Sequence, residues 1–474
     1  MGKPTGFLET PRRGPGYRPV PVRLRDWREV YEAQDDAEVA AQAGRCMDCG
    51  IPFCTQGCPL GNPIPTFNDA IFRQHWDHAA DALLRTNNFP EFTGRLCPAP
   101  CESACVLNIV DASVTIERIE YEVAEHAFAE GLSVRAPDVD DSGQRVAVVG
   151  SGPAGLATAA QLRAVGHAVE VFERADAIGG LLRYGIPEFK MEKSVLDRRL
   201  AVMRDSGVVF HVNASVGEGE LAELRRSFDA VVLALGSTTP RRIDVPGADL
   251  EGVMGAMTYL EAANRAVRDA VPSRFDACGK NVVILGGGDT GADCLGTAHR
   301  QGAASVTQIE ILGRPPNERP DDQPWPTMAR IFKSAPAHDE GGHRRFSTET
   351  LEFRGPGHVT EIVLRDHAND DTVSAPADLV LIAAGFIGPE LAGLGPEVSS
   401  QLTPRNTLSV NPSWCLESLG GASPVFACGD AVRGQSLIVW AIAEGRSAAA
   451  SVDAHLRGGV TALPAPLEPY AVSW

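Results

Sequence analysis

Seven of the eleven cysteines in this 474-residue chain fall between residues 46 and 105. Thiolates at short spacings can converge on one small inorganic core, as they do in iron–sulfur proteins. The cysteines therefore predict two iron–sulfur clusters, which would carry single electrons. Their two groups have the spacings Cys46-x2-Cys49-x4-Cys54-x3-Cys58 and Cys97-x3-Cys101-x3-Cys105.

Structural zinc and disulfides are the other common uses of closely spaced cysteines. Cys-x-x-Cys pairs also hold structural zinc, so spacing alone leaves zinc open. Disulfides fit poorly, because residues 1–13 are polar, rich in Pro and Gly, and lack the apolar core of a secretory signal. We favour clusters because two nucleotide-binding motifs follow the cysteines, and a bound dinucleotide would give the clusters an electron donor.

Two motifs of the form Gly-x-Gly-x-x-Gly follow, which we name the first fingerprint (residues 150–155) and the second fingerprint (residues 286–291). Each comes directly after a short apolar strand, predicted over 145–149 and over 281–285, and opens a helix. Glycine lets the backbone approach a pyrophosphate, and the helix N-terminus supplies N–H donors to it. The predicted contact residues are Gly150, Gly152, Pro153, Ala154 and Gly155 in the first, and Gly286, Gly288, Asp289, Thr290 and Gly291 in the second.

The residues after each fingerprint indicate which dinucleotide it binds. Glu173 ends the strand that follows the first fingerprint, about 20 residues downstream, where a carboxylate accepts ribose hydroxyls. Gly429 and Asp430 follow another apolar strand near the C-terminus, and such an Asp contacts the ribityl chain in flavoproteins with two dinucleotides. We therefore assign FAD to the first fingerprint and a nicotinamide cofactor to the second.

The choice between NADPH and NADH depends on charge beyond the second fingerprint. Arg314 lies just past the next strand, where an arginine can hold a 2′-phosphate. Glu310 aligns with Glu173 and would repel that phosphate. Arg300 and Arg319 are reserve candidates. The sequence favours NADPH with Arg314 and leaves NADH open.

The chain divides into a helical part and an α/β part. Residues 1–25 predict an extended arm, and helices are predicted over 27–42, in one or two pieces over 63–90, and over 114–130. Residues 136–144 predict a linker, being polar with Pro and Gly.

An internal repeat supports two similar nucleotide domains. Residues 229–236 and 378–385 each have an acidic residue, an apolar strand and a small-residue turn ending in glycine. We expect an α/β fold in which a helical iron–sulfur domain (1–140) precedes two Rossmann-like domains. The FAD-binding domain would span 141–240 and 390–474, and the NAD(P)H-binding domain, 241–389, would be inserted into it.

Bulk composition excludes several classes of partner. The formal net charge of −18 disfavours nucleic acid and anionic membranes. No apolar run is long enough to span a bilayer, and the free cysteines point to the cytoplasm. No Ser/His/Asp or Cys/His constellation emerges, so we predict no catalytic side chain, because in hydride transfer the cofactor carries the chemistry.

In combination, six stretches resemble the small (beta) subunit of bacterial glutamate synthase. The resemblance adds Gly180, Leu181, Gln435, Ser436 and Leu437 to the expected cofactor contacts, and Gly236, at the small-residue turn of the internal repeat, is a further expected contact. It covers nearly the whole chain. The stretches are residues 45–54, 94–101, 150–155, 179–191, 286–294 and 429–446.

This resemblance implies an NADPH-dependent flavin and iron–sulfur oxidoreductase. In the family, FAD takes hydride from NADPH, and electrons pass through two 4Fe–4S clusters to the FMN of a large (alpha) subunit. That subunit makes L-glutamate from glutamine and 2-oxoglutarate. The alternatives are a free-standing NAD(P)H:acceptor oxidoreductase, for example one that reduces ferredoxin, and a zinc-stabilised nucleotide-sensing scaffold.

The resemblance also implies how the cluster ligands are shared. A side-chain oxygen replaces the missing eighth thiolate, and the family pattern places Glu120 there; Glu117, on the same helix face, is the alternative. Only three residues separate Cys97 from Cys101, fewer than in many members, so this loop must be tight. The implied ligands are Cys46, Cys49, Cys54 and Cys105 for one cluster, and Cys58, Cys97, Cys101 and Glu120 for the other.

Overall fold

A computed structural model of the chain describes residues 3–132, 139–417, 419 and 423–471. The predicted linker over 136–144 therefore lies partly outside the described residues. Of the part that is described, residues 139–144 contain no helix or strand. No helix in the described ranges is both long enough and apolar enough to cross a membrane.

The N-terminal part is helical. The prediction over 27–42 was wrong at its start: the helix begins only at Asp36, because the Asp35 side chain caps it by accepting a hydrogen bond from the Glu38 N–H. The arm over 1–25 is not fully extended, since it holds two short helices. The helices are α1 (Gly6–Glu9), α2 (Val20–Arg23), α3 (Asp36–Ala43), α4 (Phe53–Gln56), α5 (Ile64–Phe72), α6 (Trp76–Leu84), α7 (Pro90–Leu96), α8 (Pro100–Ser103) and α9 (Ile116–Ala129).

From residue 145 onward the chain alternates between strands and helices. The strands are β1 (Arg145–Val149), β2 (Ala168–Phe172), β3 (Val209–His211), β4 (Ala230–Leu233), β5 (Thr239–Pro240), β6 (Val253–Gly255), β7 (Asn281–Leu285), β8 (Ser305–Ile309), β9 (His343–Arg345), β10 (Thr348–Arg354), β11 (Glu361–Asp366), β12 (Asp371–Pro376), β13 (Leu379–Ile382), β14 (Phe386–Gly388) and β15 (Val425–Ala427). The helices are α10 (Pro153–Ala164), α11 (Leu181–Tyr184), α12 (Lys193–Asp205), α13 (Glu218–Ser227), α14 (Ala256–Asp269), α15 (Asp289–Arg300), α16 (Pro336–Asp339), α17 (Pro396–Ser399), α18 (Asp430–Arg433) and α19 (Ile438–Leu456).

The strands build two parallel sheets of the Rossmann kind. The first has the order β15-β4-β1-β2-β3 and the second β6-β13-β7-β8-β9. An antiparallel sheet, β10-β11-β12, extends the second unit. The chain passes from the first unit to the second after β5 and returns at β14, and these two short strands pair with each other. The second unit is therefore inserted between β4 and β15 of the first. This is the predicted fold class.

The internal repeat has a structural basis. The Arg145 N–H at the start of β1 donates to Asp229 Oδ2 (2.7 Å), and the Asn281 N–H at the start of β7 donates to Asp378 Oδ2 (2.8 Å). Asp229 immediately precedes β4, which pairs with β1, and Asp378 immediately precedes β13, which pairs with β7. The acidic residue therefore fixes the register of the central strand pair in both units.

One hydrophobic core joins the helical part to the first sheet, whereas the second sheet has separate cores on its two faces. Buried ion pairs reinforce the junctions. Arg199 on α12 makes two hydrogen bonds to the Glu91 carboxylate on α7 (2.5 and 3.0 Å). Arg23 of the N-terminal arm and Arg300 of the second unit both pair with Glu340 (2.7 and 2.6 Å). The helical part is thus fixed to both nucleotide units.

Candidate functional site

A cleft of about 1390 Å³ lies between the two units. Both fingerprints open onto it, because each follows the carboxyl end of a central parallel strand, where ligands bind in sheets of this type. Most of the cofactor-binding residues predicted from the sequence line it. These are Gly150, Gly152, Pro153, Ala154, Glu173, Gly180, Leu181, Gly236, Gly286, Gly288, Asp289, Thr290, Asp430, Gln435, Ser436 and Leu437.

The three glycines of the first fingerprint have different environments. A Cβ added to Gly150, which has φ +102°, would lie 2.3 Å from the Ala234 carbonyl oxygen, and one added to Gly155 would lie 2.1 Å from that of Gly150. A Cβ added to Gly152 would meet nothing within 4 Å. Gly150 and Gly155 thus allow close backbone packing, and Gly152 leaves a free concavity that fits a pyrophosphate.

The second fingerprint repeats this pattern. A Cβ on Gly286 (φ +133°) would lie 2.3 Å from the Ala383 oxygen, and one on Gly291 would lie 2.3 Å from the Gly286 oxygen, while one on Gly288 would meet nothing within 4 Å. Gly155 and Gly291 do not line the cleft. Their role is helix–strand packing, whereas Gly152 and Gly288 leave open space where each fingerprint meets the cleft.

The two glutamates after the fingerprints make equivalent contacts. Glu173 accepts hydrogen bonds from the Ser151 N–H (3.1 Å) and the Ala175 N–H (2.9 Å). Glu310 accepts them from the Gly287 N–H and the Leu312 N–H, both at 2.9 Å. Both carboxylates therefore hold equivalent positions beside their fingerprints.

The C-terminal segment closes the first unit over the cleft. The Asp430 carboxylate accepts a hydrogen bond from the Ser436 hydroxyl (2.6 Å), and burial raises its pKa to about 6. The Gln435 side-chain oxygen accepts one from the Phe386 N–H (2.6 Å), next to the crossing between the units. Gly429 does not line the cleft, and its Cβ position lies 2.7 Å from the Ala154 side chain, so it packs the turn against α10.

Arg314 lies outside the cleft lining, on the surface past β8. Its guanidinium stacks on the Phe332 ring at 4.0 Å and donates to the Asn317 side chain (3.0 Å). Arg344 covers the same ring at 4.7 Å. Burial and the neighbouring Arg314 lower the pKa of Arg344, so the two guanidinium groups form a local positive pair.

The two reserve arginines have other partners. Arg300 is buried in its ion pair with Glu340 and covers the Phe189 ring. Arg319 donates to the backbone carbonyls of Gln323 (2.9 Å) and Thr327 (2.7 Å). Neither lines the cleft.

The cysteines are arranged in two sets. Burial and the nearby thiols of Cys105, Cys46 and Cys49 together raise the pKa of the Cys54 thiol to about 12. Burial also raises the pKa of Cys46 to about 12, again with contributions from Cys105 and Cys49. We name this set of four the outer cluster site. Iron would replace the protons, because cluster ligands are thiolates.

The second set, the inner cluster site, comprises Cys58, Cys97 and Cys101 with the α9 carboxylates. Burial holds the pKa of Cys101 well above its usual range, and Cys58, Cys97 and Glu120 add to the shift. Burial raises the pKa of Cys97 as well, with Glu117 and Glu120 contributing. Both carboxylates considered as the missing ligand therefore lie near this set.

Three polar side chains hold Glu120. Its carboxylate accepts hydrogen bonds from Asn62 (3.1 Å), Asn87 (3.0 Å) and the Thr93 hydroxyl, while burial raises its pKa to about 7. An ionised carboxylate has about four acceptor positions, so one remains for a metal. Glu117 is only half-buried, and burial and Glu102 hold its pKa well above the usual range.

The inner cluster site borders the cleft. Leu96 and Pro98, on either side of Cys97, belong to the cleft lining. Lys190 also lines the cleft and donates to Asp293 of α15 (3.1 Å). Lys190 is missing from the residues singled out in the sequence, although it lies within the 179–191 stretch that carried part of the family resemblance.

Two family models match the chain. Residues 23–132 match a model described as dihydropyrimidine dehydrogenase domain II, 4Fe-4S cluster. Residues 144–445 match the pyridine nucleotide-disulphide oxidoreductase model. The first match includes all seven clustered cysteines, and the second includes both fingerprints and Asp430.

A solved structure shares the fold of the nucleotide units. Mycobacterium tuberculosis FprA in complex with NADPH aligns with a TM-score of 0.50 at 19% identity, over 68% of this chain and 88% of that one. At this identity the likeness shows the fold alone.

Curated relatives match over nearly the whole chain. The glutamate synthase (NADPH) small chain of Mycobacterium tuberculosis is 53% identical, and the alignment covers 99% of both chains. The glutamate synthase (NADH) of Schizosaccharomyces pombe is 41% identical over 97% of this chain, which corresponds to only 23% of that longer protein. The chain belongs to the glutamate synthase small-chain family, within the pyridine nucleotide-disulphide oxidoreductases.

Proposed function

We propose that this chain is the electron-entry subunit of an NADPH-dependent glutamate synthase. It would deliver electrons from NADPH to a large subunit that makes L-glutamate from glutamine and 2-oxoglutarate. The observation that carries this proposal is the shared cleft, which both fingerprints and the residues flanking Cys97 line together. The full-length match to small chains of glutamate synthase supports it.

We assign FAD to the first fingerprint with Glu173 and the Asp430 segment, and NADPH to the second fingerprint with Arg314. The chemistry these groups supply when bound is hydride transfer from NADPH to flavin and single-electron transfer through the clusters. The free concavities at Gly152 and Gly288 support two dinucleotides, one in each unit. The matching domain bounds are 1–140, 141–240 with 390–474, and 241–389.

In this proposal the protein binds the cofactors and holds them at separate sites. The Gly150 and Gly155 backbone positions α10 so that its N-terminus faces the concavity at Gly152. Leu96 and Pro98 flank Cys97 in sequence and line the cleft, so they would present apolar surface to a flavin bound there. The two proposed 4Fe–4S clusters have as ligands Cys46, Cys49, Cys54 and Cys105 at the outer site, and Cys58, Cys97, Cys101 and Glu120 at the inner site.

We also propose that the protein acts in the cytoplasm. Cluster thiolates require a reducing compartment, because oxidation to disulfides would remove the ligands. Burial raises the pKa of most of these thiols, which keeps them protonated and unreactive until iron arrives.

Anaerobic purification followed by reconstitution tests the proposal. We expect one FAD, about eight iron and eight sulfide per chain, since each 4Fe–4S cluster holds four of each, and glutamate formation from NADPH once the large subunit is added. Stoichiometric zinc without iron would reject the clusters. Rapid reduction of ferredoxin, with no glutamate formed in the presence of the large subunit, would favour the free-standing oxidoreductase instead.

A further inference from the structure

Exposed apolar side chains lie on chain segments next to the outer cluster site. Soluble proteins rarely expose large apolar residues together, and where they do the surface is usually an interaction site. In the described part of the chain, four of the six most exposed large apolar residues lie on segments next to this site. They are Val110 (81% exposed), Leu8 (73%), Ile51 (63%) and Ile109 (55%).

These residues come from three segments that meet at the outer cluster site. Ile51 lies in the loop between Cys49 and Cys54, and Ile109 and Val110 follow Cys105. Leu8 is on α1, which packs closely on the residues just before Cys46: a Cβ added to Gly6 would lie 2.1 Å from the Gly44 oxygen.

Arg45 fastens two of the segments together. Its buried guanidinium donates to the Thr10 carbonyl, two residues after Leu8, and to the Ala112 carbonyl (2.6 Å), two residues after Val110. Because Arg45 directly precedes Cys46, the apolar segments are held in place relative to the first cysteine of the outer site. The exposed side chains are therefore part of a fixed surface, which we name the apolar rim (Leu8, Ile51, Ile109 and Val110).

The apolar rim lies at the end of the electron route away from the cleft. Leu96 and Pro98 place the inner cluster site against the cleft, whereas no residue between 45 and 56 contributes to the cleft lining that the structure describes. Electrons that enter at the cleft and leave the chain must therefore pass from the inner site to the outer site. An acceptor has to approach within electron-transfer reach of the outer site, and the rim is the surface it meets there.

The long relative indicates what covers such a surface. In the Schizosaccharomyces pombe protein the matching segment makes up 23% of the chain. The segment is thus covalently joined there to the rest of a glutamate synthase, whereas the Mycobacterium tuberculosis small chain matches this chain over 99% of both lengths.

We propose that the apolar rim is the docking face for the electron-accepting large subunit, which would present an apolar surface around its own redox centre. This inference rests on the proposed function. Docking would remove the four side chains from water and bring the outer cluster site to the interface. The core of a protein interface is depleted of charged residues, so a carboxylate placed on the rim would lose hydration without gaining a partner.

Aspartate substitutions in the holoprotein test the docking face. Leu8→Asp and Val110→Asp change the two most exposed residues of the rim, and neither touches a proposed ligand. Val460→Asp is the matched control, because Val460 is equally exposed (72%) but follows α19 in the first nucleotide unit. For each variant we would measure iron, sulfide and flavin content, NADPH-driven dye reduction, the Kd for the purified large subunit, and NADPH-driven glutamate formation.

We expect Leu8→Asp and Val110→Asp each to weaken large-subunit binding at least tenfold and to lower glutamate formation at limiting large subunit. Cofactor content and dye reduction should match the wild type, and Val460→Asp should bind normally. Unchanged affinity in the variant that carries both rim substitutions, or an equal loss of affinity in Val460→Asp, would overturn the docking face. If Val110→Asp loses iron, Leu8→Asp decides, since α1 carries no proposed ligand.

The same experiment separates this inference from the proposed function. A wild-type chain that binds the large subunit and supports glutamate formation, while the rim variants do so equally well, disproves only the rim. A wild-type chain that neither binds the large subunit nor supports glutamate formation disproves both.

Discussion

At the residue scale, space decides which glycines serve ligands and which serve the fold. Gly152 and Gly288 have ordinary backbone angles (φ −70° and −85°) and nothing within 4 Å of their Cβ positions. A side chain there would be compatible with the folded protein and would occupy only the concavity. Gly150 has φ +102° and a backbone oxygen 2.3 Å from its Cβ position, so it is needed for folding itself.

We predict that Gly152→Val removes FAD, whereas Gly288→Val retains FAD and abolishes NADPH oxidation. Both variants should fold, because the added side chain enters free space and blocks only the pyrophosphate. Flavin content and NADPH oxidation are the measurements. Gly150→Ala is the structural control and should fail to fold. Flavin loss in Gly288→Val would reverse the assignment of the two fingerprints.

Glu120→Ala should alter the inner cluster and leave the outer cluster and FAD in place. A carboxylate is a harder ligand than a thiolate and sets the charge and potential of its cluster. Electron paramagnetic resonance and a redox titration would show one cluster lost or shifted. NADPH should still reduce the flavin, while glutamate formation slows. If both clusters are unchanged, Glu117→Ala is the next variant, since Glu117 also lies near Cys97.

We predict that Arg314→Ala weakens NADPH binding about tenfold and leaves NADH binding unchanged. One charge-assisted phosphate contact contributes about 1.5–3 kcal/mol, and 1.4 kcal/mol is tenfold in affinity. Dissociation constants for both cofactors are the measurement. An equal loss for NADPH and NADH would show that Arg314 does not contact the 2′-phosphate, and Arg344, which shares the Phe332 ring, would be tested next.

At the element scale, Asp229 and Asp378 should contribute equally to the stability of their two units. Asp229→Ala and Asp378→Ala each leave a strand N–H without its acceptor, at a cost of about 1 kcal/mol. Thermal unfolding should show similar losses for both variants. A loss of stability in only one of the two variants would contradict the equivalence that the repeat implies.

The sequence predicted the elements whose signals are local. The strands over 145–149 and 281–285 match residue for residue, because each apolar run ends in a glycine turn that stops it. The α2 helix was not predicted, because the contacts that hold it involve residues far away in the sequence: Arg23 pairs with Glu340. The antiparallel sheet β10-β11-β12 was also missed, because its two outer strands, β10 and β12, are partly exposed and lack a continuous apolar run.

The site residues show the same difference between local sequence signals and distant contacts. Fingerprint residues were predicted because glycine spacing is a local pattern that carries its own chemistry. Lys190 was not, because its placement beside Asp293 depends on the packing of two separate units. The tight loop between Cys97 and Cys101 was expected, and Ala99 adopts a left-handed conformation there (φ +53°), which shortens the turn at some cost in strain.

At the scale of the whole molecule, buried ion pairs hold the helical part against both nucleotide units. Glu340 is shared by Arg23 and Arg300, and all three side chains are almost fully buried. Together with the Arg199–Glu91 pair, which joins α12 to α7, the Arg23–Glu340 pair fixes the helical part to both units.

Glu340→Gln should lower the free energy of unfolding by about 3–5 kcal/mol, the usual cost of removing one partner from a buried ion pair. Glu352→Gln breaks an exposed pair with Arg354 and should cost far less, because solvent screens such a pair. Thermal or denaturant unfolding of both holoproteins gives the comparison. Equal effects would show that the Glu340 cluster adds nothing beyond a surface contact.

The insertion of one unit into the other also sets an order of assembly during translation. β15 pairs with β4 through Val425 and Val231, and the entire second unit is synthesised between them. The nascent second unit can complete its sheet once β13 has left the ribosome, while the first sheet still lacks its edge strand. The unit that begins first therefore closes last, and the proposed FAD site is complete only after Asp430 has emerged.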